Sequence, residues 1–163
     1  MRLFIIAASL AAGLDQLVKY LIRSHMKLYD IVWVIKDFFK ITYIENTGVA
    51  FGMLGGMAQP AVRWILVAVI SLASLGITIY WATNRKQSLL YDLSCGLILG
   101  GAIGNLADRI RTGRITDFLE FGYKNTTFPV FNVADSAVTV GVAFFIIFVL
   151  NEGKKGNNAS GPV

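Results

Sequence analysis

Residues 131–150 read Phe131-Asn132-Val133-Ala134-Asp135-Ser136-Ala137-Val138-Thr139-Val140 and then Gly141-Val142-Ala143-Phe144-Phe145-Ile146-Ile147-Phe148-Val149-Leu150. From Val133 to Leu150 there are 18 residues and one charge, Asp135. At ~1.5 Å per residue that run is about 27 Å long, close to the ~30 Å hydrocarbon core of a bilayer. Asn132 reads as a helix N-cap, which places Asp135 at the third helical position, beside unpaired backbone N–H groups. Taken alone, Asp135 is an ordinary acid in a first turn. A second carboxylate, Asp117, stands 18 residues upstream in the preceding loop. The question is whether the two work as a pair at the mouth of a membrane span.

Three more apolar runs precede this one. Leu3–Ile22 has 20 residues, Val62–Ala82 has 21 and Leu89–Ile110 has 22. At the same rise these are roughly 30–33 Å long. The whole composition agrees: 55% hydrophobic and 15% charged residues, against about 25% charged in soluble domains. Mean hydropathy is +0.61. The net charge of +5 suits an anionic membrane surface, and no basic cluster lies on a soluble face to suggest a nucleic-acid partner. The single cysteine, Cys95, excludes an internal disulfide. With one histidine, His25, far from it in sequence, there is neither a Cys–His nucleophile nor a zinc ligand set.

The start of the chain needs care. Arg2 followed by Leu3–Leu10 and Ala11-Ala12-Gly13 has the look of a signal peptide, and Leu10–Gly13 that of a lipoprotein processing site. Leu14 stands where such a site needs cysteine, and the apolar run continues to Ile22. The segment is therefore read as a retained first helix. The expectation is an all-α integral membrane protein, one domain over 1–163, with four transmembrane helices near 3–22, 62–82, 89–110 and 133–150. Loops 23–61 and 111–132 form a small β-containing region on one side; a short link, 83–88, and a disordered tail, 151–163, lie on the other. Phe39, Ile41 and Tyr43 alternate with Lys40, Thr42 and Ile44, as in a strand, before an Asn46-Thr47-Gly48 turn and the apolar stretch Ala50–Leu54. Trp33, Phe38 and Phe39 are available to a membrane interface.

Ionisable residues cost about 2.5–3.5 kcal/mol each at mid-bilayer, so their placement carries information. Here it is one-sided. Asp15 and Lys19 share a face near the end of the first helix. Asn105, Asp108 and Arg109 arrive together near the end of the third, and the fourth, running oppositely, begins with Asn132 and Asp135. All fall in one layer beside the loops that hold Asp117. Asp15, Lys19 and Asp108 read as mutual structural support; Asn105 and Arg109 lie near enough to Asp117 to contact a ligand. Gly96, Gly100 and Gly104, at four-residue spacing with Gly101 beside them, form a ridge for close helix packing. Two adjacent aspartates share one proton, since both cannot ionise cheaply, and that is the chemistry of an aspartic protease. Orientation stays open: Lys and Arg number five on the side of the termini and nine on the other.

Five ordered blocks resemble the bacterial lipoprotein signal peptidases, the type II signal peptidases. They are Asp15-Gln16-x-x-Lys19, Asn46-x-Gly48-x-Ala50-Phe51, Gly104-Asn105-x-x-Asp108-Arg109, Ile115-x-Asp117-Phe118 and Phe131-Asn132-x-Ala134-Asp135. Ile115 stands where the family often has valine. The resemblance implies that Asp117 and Asp135 are a catalytic dyad, and that Asn46, Gly48, Asn105, Arg109, Asn132 and Ala134 bind substrate or orient the dyad. It implies that Asp15, Lys19 and Asp108 give polar support. The implied substrates are prolipoprotein signal peptides already carrying diacylglyceryl on cysteine, cut just before that cysteine. It further implies a monomer among the lipids of the bacterial cytoplasmic membrane, termini in the cytosol and the site at the outer face, against the raw charge count. No metal or organic cofactor is expected.

Two rivals are weaker. A presenilin-type protease would need a Gly-x-Gly-Asp motif after Tyr91-Asp92, and none follows. A small ion-coupled transporter using intramembrane carboxylates would need an ionisable group near mid-membrane, whereas the inner half here is apolar.

Overall fold

The computed structural model describes residues 2–47, 59–84, 88–123 and 126–159. Four long helices carry the chain: α1 (Arg2–His25), α2 (Gln59–Thr83), α3 (Leu89–Thr112) and α4 (Val133–Ala159). Each is long and apolar enough to cross a membrane. The remaining elements, β1 (Ile31–Ile35), β2 (Phe39–Asn46), β3 (Ile115–Tyr123) and β4 (Thr126–Thr127), form an antiparallel sheet in that order. The expected fold class, four membrane helices with a small β region, is the one observed.

Helix α3 is the centre of the bundle. Ser88 caps its start by accepting from the Tyr91 N–H, and Gly113 ends it in the left-handed region at φ 78, its N–H returning to the Arg109 carbonyl. The glycine ridge lets two partners close on it. A Cβ at Gly96 would lie 2.6 Å from the Phe4 carbonyl of α1, and one at Gly104 would lie 2.6 Å from Asp15 Oδ2. Gly101 faces Ala134 and Val138 of α4 instead. With little hydrophobic drive between helices in lipid, this close packing is what holds them together. At one end of the bundle Phe4 stacks on Trp81 at 3.9 Å, in a cluster with Tyr91, Cys95 and Phe148. At the other end Ile22 packs with Tyr43 of β2 and Phe118 of β3, seating the sheet on α1.

Three details differ from the sequence reading. Helix α4 runs through Ala159, so the tail expected to be disordered from Asn151 is helical over most of its length. No proline interrupts that stretch, and extending an existing helix is easy compared with nucleating one. Asp117 lies on a strand, β3, and not in a loop; its charged neighbours hide the apolar alternation there. Phe39 is half-buried and stacks on Phe121 at 4.6 Å, while Trp33 and Phe38 are exposed as expected. Gly48 and the stretch Ala50–Leu54 lie outside the described residues.

Candidate active site

The start of α4 is a reciprocal cap. Asn132 Oδ1 accepts from the Asp135 N–H at 2.9 Å, and Asp135 Oδ2 accepts from the Asn132 N–H at 3.2 Å. This is the capping-box arrangement, with a short amide and a short acid in the two roles. It fixes the Asp135 carboxylate back over the helix end. Its other oxygen, Oδ1, accepts from Asn105 Nδ2 of α3 at 2.7 Å.

The same Asn132 reaches the other carboxylate. Its Nδ2 donates to Asp117 Oδ1 at 2.6 Å, and Asn46 Nδ2 donates to Asp117 Oδ2 at 2.8 Å. Strand pairing delivers these groups. Asp117 is opposite Ile44, and the β2–β3 register shifts between Ile41 and Ile44, a bulge beside the site. The β3 backbone is also tied to the residue before the cap, since the Phe118 and Leu119 N–H groups both donate to the Phe131 carbonyl. Asp117 is only 1% exposed. Burial pushes its carboxyl up to about 6, and the nearby Asp135 charge adds to this; Asn46, Asn132 and Lys19 pull the other way. Asp135 is half-buried.

Below the pair lies a buried ion network. Lys19 Nζ is 2.9 Å from Asp15 Oδ2 and 3.2 Å from Asp108 Oδ2, and it donates to Asn105 Oδ1 at 3.0 Å. Asp108 also meets Arg23 at 3.2 Å and accepts from the Thr116 N–H at 3.0 Å. Asp15 Oδ1 accepts from the Ala134 N–H at 2.8 Å, supplying the second turn-forming acceptor at the α4 start. Removing one member of such a network strands a buried charge, at a cost of about 3–5 kcal/mol.

Arg109, also buried, ties the helix end to the strand: Nη1 donates to the Asn46 carbonyl at 3.1 Å and to the Gly113 carbonyl at 2.9 Å. Its Nε has no partner among the described residues. Arg63 of α2 closes the same end by donating to the Arg109 and Ile110 carbonyls.

The structure thus gathers Asp117, Asp135, Asn46, Asn105, Asn132 and Arg109 around one place, with Asp15, Lys19 and Asp108 beneath them. Ala134 is fully buried between Gly101 and Gly104. Gly48 is outside the described residues. Sequence reading did not single out Arg23, Thr116 or Arg63. Arg23 had a signal, since Asp15, Lys19 and Arg23 follow at four-residue steps on one helix face. Arg63 had none, because its partners are backbone carbonyls of a different helix.

Fold and site define a four-span membrane protein with two carboxylates held by asparagine amides at one end of its bundle. The chain belongs to the family described as Signal peptidase (SPase) II, whose profile matches residues 7–151. It is 42% identical over 154 residues to a lipoprotein signal peptidase of Symbiobacterium thermophilum, covering 94% of this chain and 98% of that one. A lipoprotein signal peptidase of Halothermothrix orenii is 40% identical over 144 residues, covering 88% and 92%. Among solved structures, a bacterial membrane enzyme determined in meso at 2.3 Å superposes with a TM-score of 0.82 at 31% identity, over 98% of this chain and 93% of that one.

Proposed function

We propose that this protein is a membrane aspartic endopeptidase that removes the signal peptide from diacylglyceryl-modified prolipoproteins by cutting before the lipidated cysteine. The observation that carries the reading is the pairing of Asp117 and Asp135 through Asn132, which bonds both. Family membership supports signal-peptide removal from lipoprotein precursors.

In this mechanism the pair holds one proton. The ionised carboxylate takes a proton from water as its oxygen attacks the scissile carbonyl carbon. The protonated carboxyl gives its proton to the carbonyl oxygen, forming a neutral tetrahedral diol. Collapse returns a proton from the diol to the pair, and the leaving amide nitrogen takes one as the C–N bond breaks. Asn105 and Asn132 hold the carboxylates in place. Asn46 and Arg109 lie at the β2 end of the site, where they orient the substrate backbone.

The membrane places the substrate. An apolar cleft of about 370 Å³, lined by Leu14, Val133, Ser136 and Val140 among others, lies between α1, α3 and α4. It suits the lipid portion of a precursor. In the proposed topology the sheet and the site face the outside, and the termini lie in the cytosol. Clustering of the polar groups at one end, with an aromatic cluster around Trp81 and Tyr91 at the other, supports hydrolysis over transport.

The test is cleavage of a synthetic precursor with and without the diacylglyceryl group, reading the new N-terminus by mass spectrometry. The proposal expects cleavage only of the modified peptide, immediately before the cysteine. Equal cleavage of both, or a cut elsewhere, contradicts it.

A further inference from the structure

The hydrogen bonds around the pair have a direction that two groups impose. A lysine ammonium can only donate, so the Asn105 atom facing Lys19 must be Oδ1. The Asn105 NH2 group is then turned to Asp135 Oδ1. Likewise the Asp135 backbone N–H can only donate, so Asn132 must present Oδ1 to it and its NH2 to Asp117 Oδ1 and Asn105 Oδ1. Amide orientation, usually a matter of assignment, is here forced by partners with no alternative. The groups are also used up. Lys19 spends its three hydrogens on Asp15, Asp108 and Asn105, and Asn105 Oδ1 accepts from both Lys19 and Asn132.

We infer that Lys19 is a positioning residue for the reaction: by fixing the Asn105 amide it keeps an N–H donor on Asp135 and so holds that carboxylate in its place in the pair. The inference rests on the aspartic reading above. Both Asp135 oxygens accept N–H donors, one from the Asn132 backbone and one from the locked Asn105 amide, at a helix N-terminus that favours negative charge. Among the described residues Asp117 accepts from two side-chain amides, and its near-complete burial penalises charge, raising its carboxyl to about 6.

The charges close on a pair that holds one proton. The groups facing the pair and Lys19 are Asp15, Lys19 and Arg23 from α1, Asp108 and Arg109 from α3, Asp117 from β3 and Asp135 from α4. With one proton on the pair, Lys19, Arg23 and Arg109 balance Asp15, Asp108 and the pair's single charge, and the layer is neutral.

The test is the pH profile of kcat for a diacylglyceryl precursor, together with thermal unfolding in detergent. Lys19→Met combined with Asp15→Asn removes the lock without leaving a stranded charge, and an asparagine at 15 can still accept from the Ala134 N–H. Losing the Asp135 donor disfavours its anion, so the pair should hold its proton to higher pH. The alkaline limb should then rise by roughly half to one pH unit, kcat should fall about 10- to 100-fold, and KM should change little. Asn105→Ala should move the limb the same way, and adding it to the Lys19 variant should move it no further, since Lys19 acts through Asn105. A merely structural lysine would lower the melting temperature and leave the limb in place, and one acting on Asp117 by its charge alone would raise the limb additively with Asn105→Ala, which overturns the inference. An unchanged limb in an active, folded Lys19 variant overturns the inference. If that variant does not fold, an unchanged limb in Asn105→Ala, which keeps the Lys19 ion pairs, overturns it equally. Activity surviving in Asp117→Asn would instead refute the dyad itself.

Discussion

Asn132 holds the site and the start of α4 together, and two substitutions separate these roles. Asn132→Ala removes the acceptor for the Asp135 N–H and the donor, at 2.6 Å, to Asp117. Asn132→Ser keeps a good cap but cannot reach Asp117 with an N–H. The cap is worth about 1 kcal/mol. A hydrogen bond to a charged or partly charged carboxyl is worth about 1.5–3 kcal/mol, a factor of roughly 10–150 if it is needed to hold the carboxyl in its reacting position. The serine variant should therefore cleave precursor about 10- to 150-fold more slowly and, with buried Asp117 one donor short, melt below wild type. The alanine variant should lose a similar amount of activity and also melt about 2–4 °C below the serine variant. Because Asn132 lowers the Asp117 proton affinity, the alkaline limb should move up in both. Precursor cleavage across pH and thermal unfolding in one detergent measure all of this. Full activity in Asn132→Ser, or equal melting of the two variants, would refute the reasoning.

Other consequences follow from the same geometry. Gly104→Ala should destabilise the protein by about 1–3 kcal/mol, because its Cβ would meet Asp15 Oδ2 at 2.6 Å and Ala134 Cβ at 3.1 Å; thermal unfolding reads it, and unchanged stability would mean the helices are not so close. The native carboxyl of Asp117, near 6 against 3.8 for the free group, binds its proton more tightly when folded, so its contribution to stability is present below about 3.8 and is lost as pH rises through about 6. Asp117→Asn should remove that fall, measured as melting temperature against pH. Lys36→Cys, exposed beside β1, should react with an impermeant thiol reagent added outside intact cells, with the buried Cys95 as a silent background; labelling from the cytosol alone would reverse the proposed topology.

Much of this was readable from residues, for a physical reason. Membrane spans need long apolar runs, so any polar residue inside them stands out, and the layer Asp15, Lys19, Asn105, Asp108, Asn132 and Asp135 emerged from that contrast. The Asn132 cap was legible because capping is local. The sheet was less so. β2 showed alternation, but β1 is apolar at every position, Ile31 to Ile35, and β3 interleaves Asp117 and Glu120 with its apolar residues. Their pairing depends on chain segments far apart in sequence, Asn46 with Ile115 for example. The direction of the hydrogen bonds from Lys19 through Asn105 was not legible at all, because it depends on which atoms meet across α1, α3 and α4.

The central claim is that Asp117 and Asp135 act as one catalytic unit. Its most direct test is cleavage of a diacylglyceryl precursor by Asp117→Asn and Asp135→Asn, each purified and shown to be folded by thermal unfolding. Both should be inactive while remaining folded; Asn matches Asp in shape and can still accept one of the two hydrogen bonds through its amide oxygen. Cleavage at the wild-type rate by either folded variant would contradict the account.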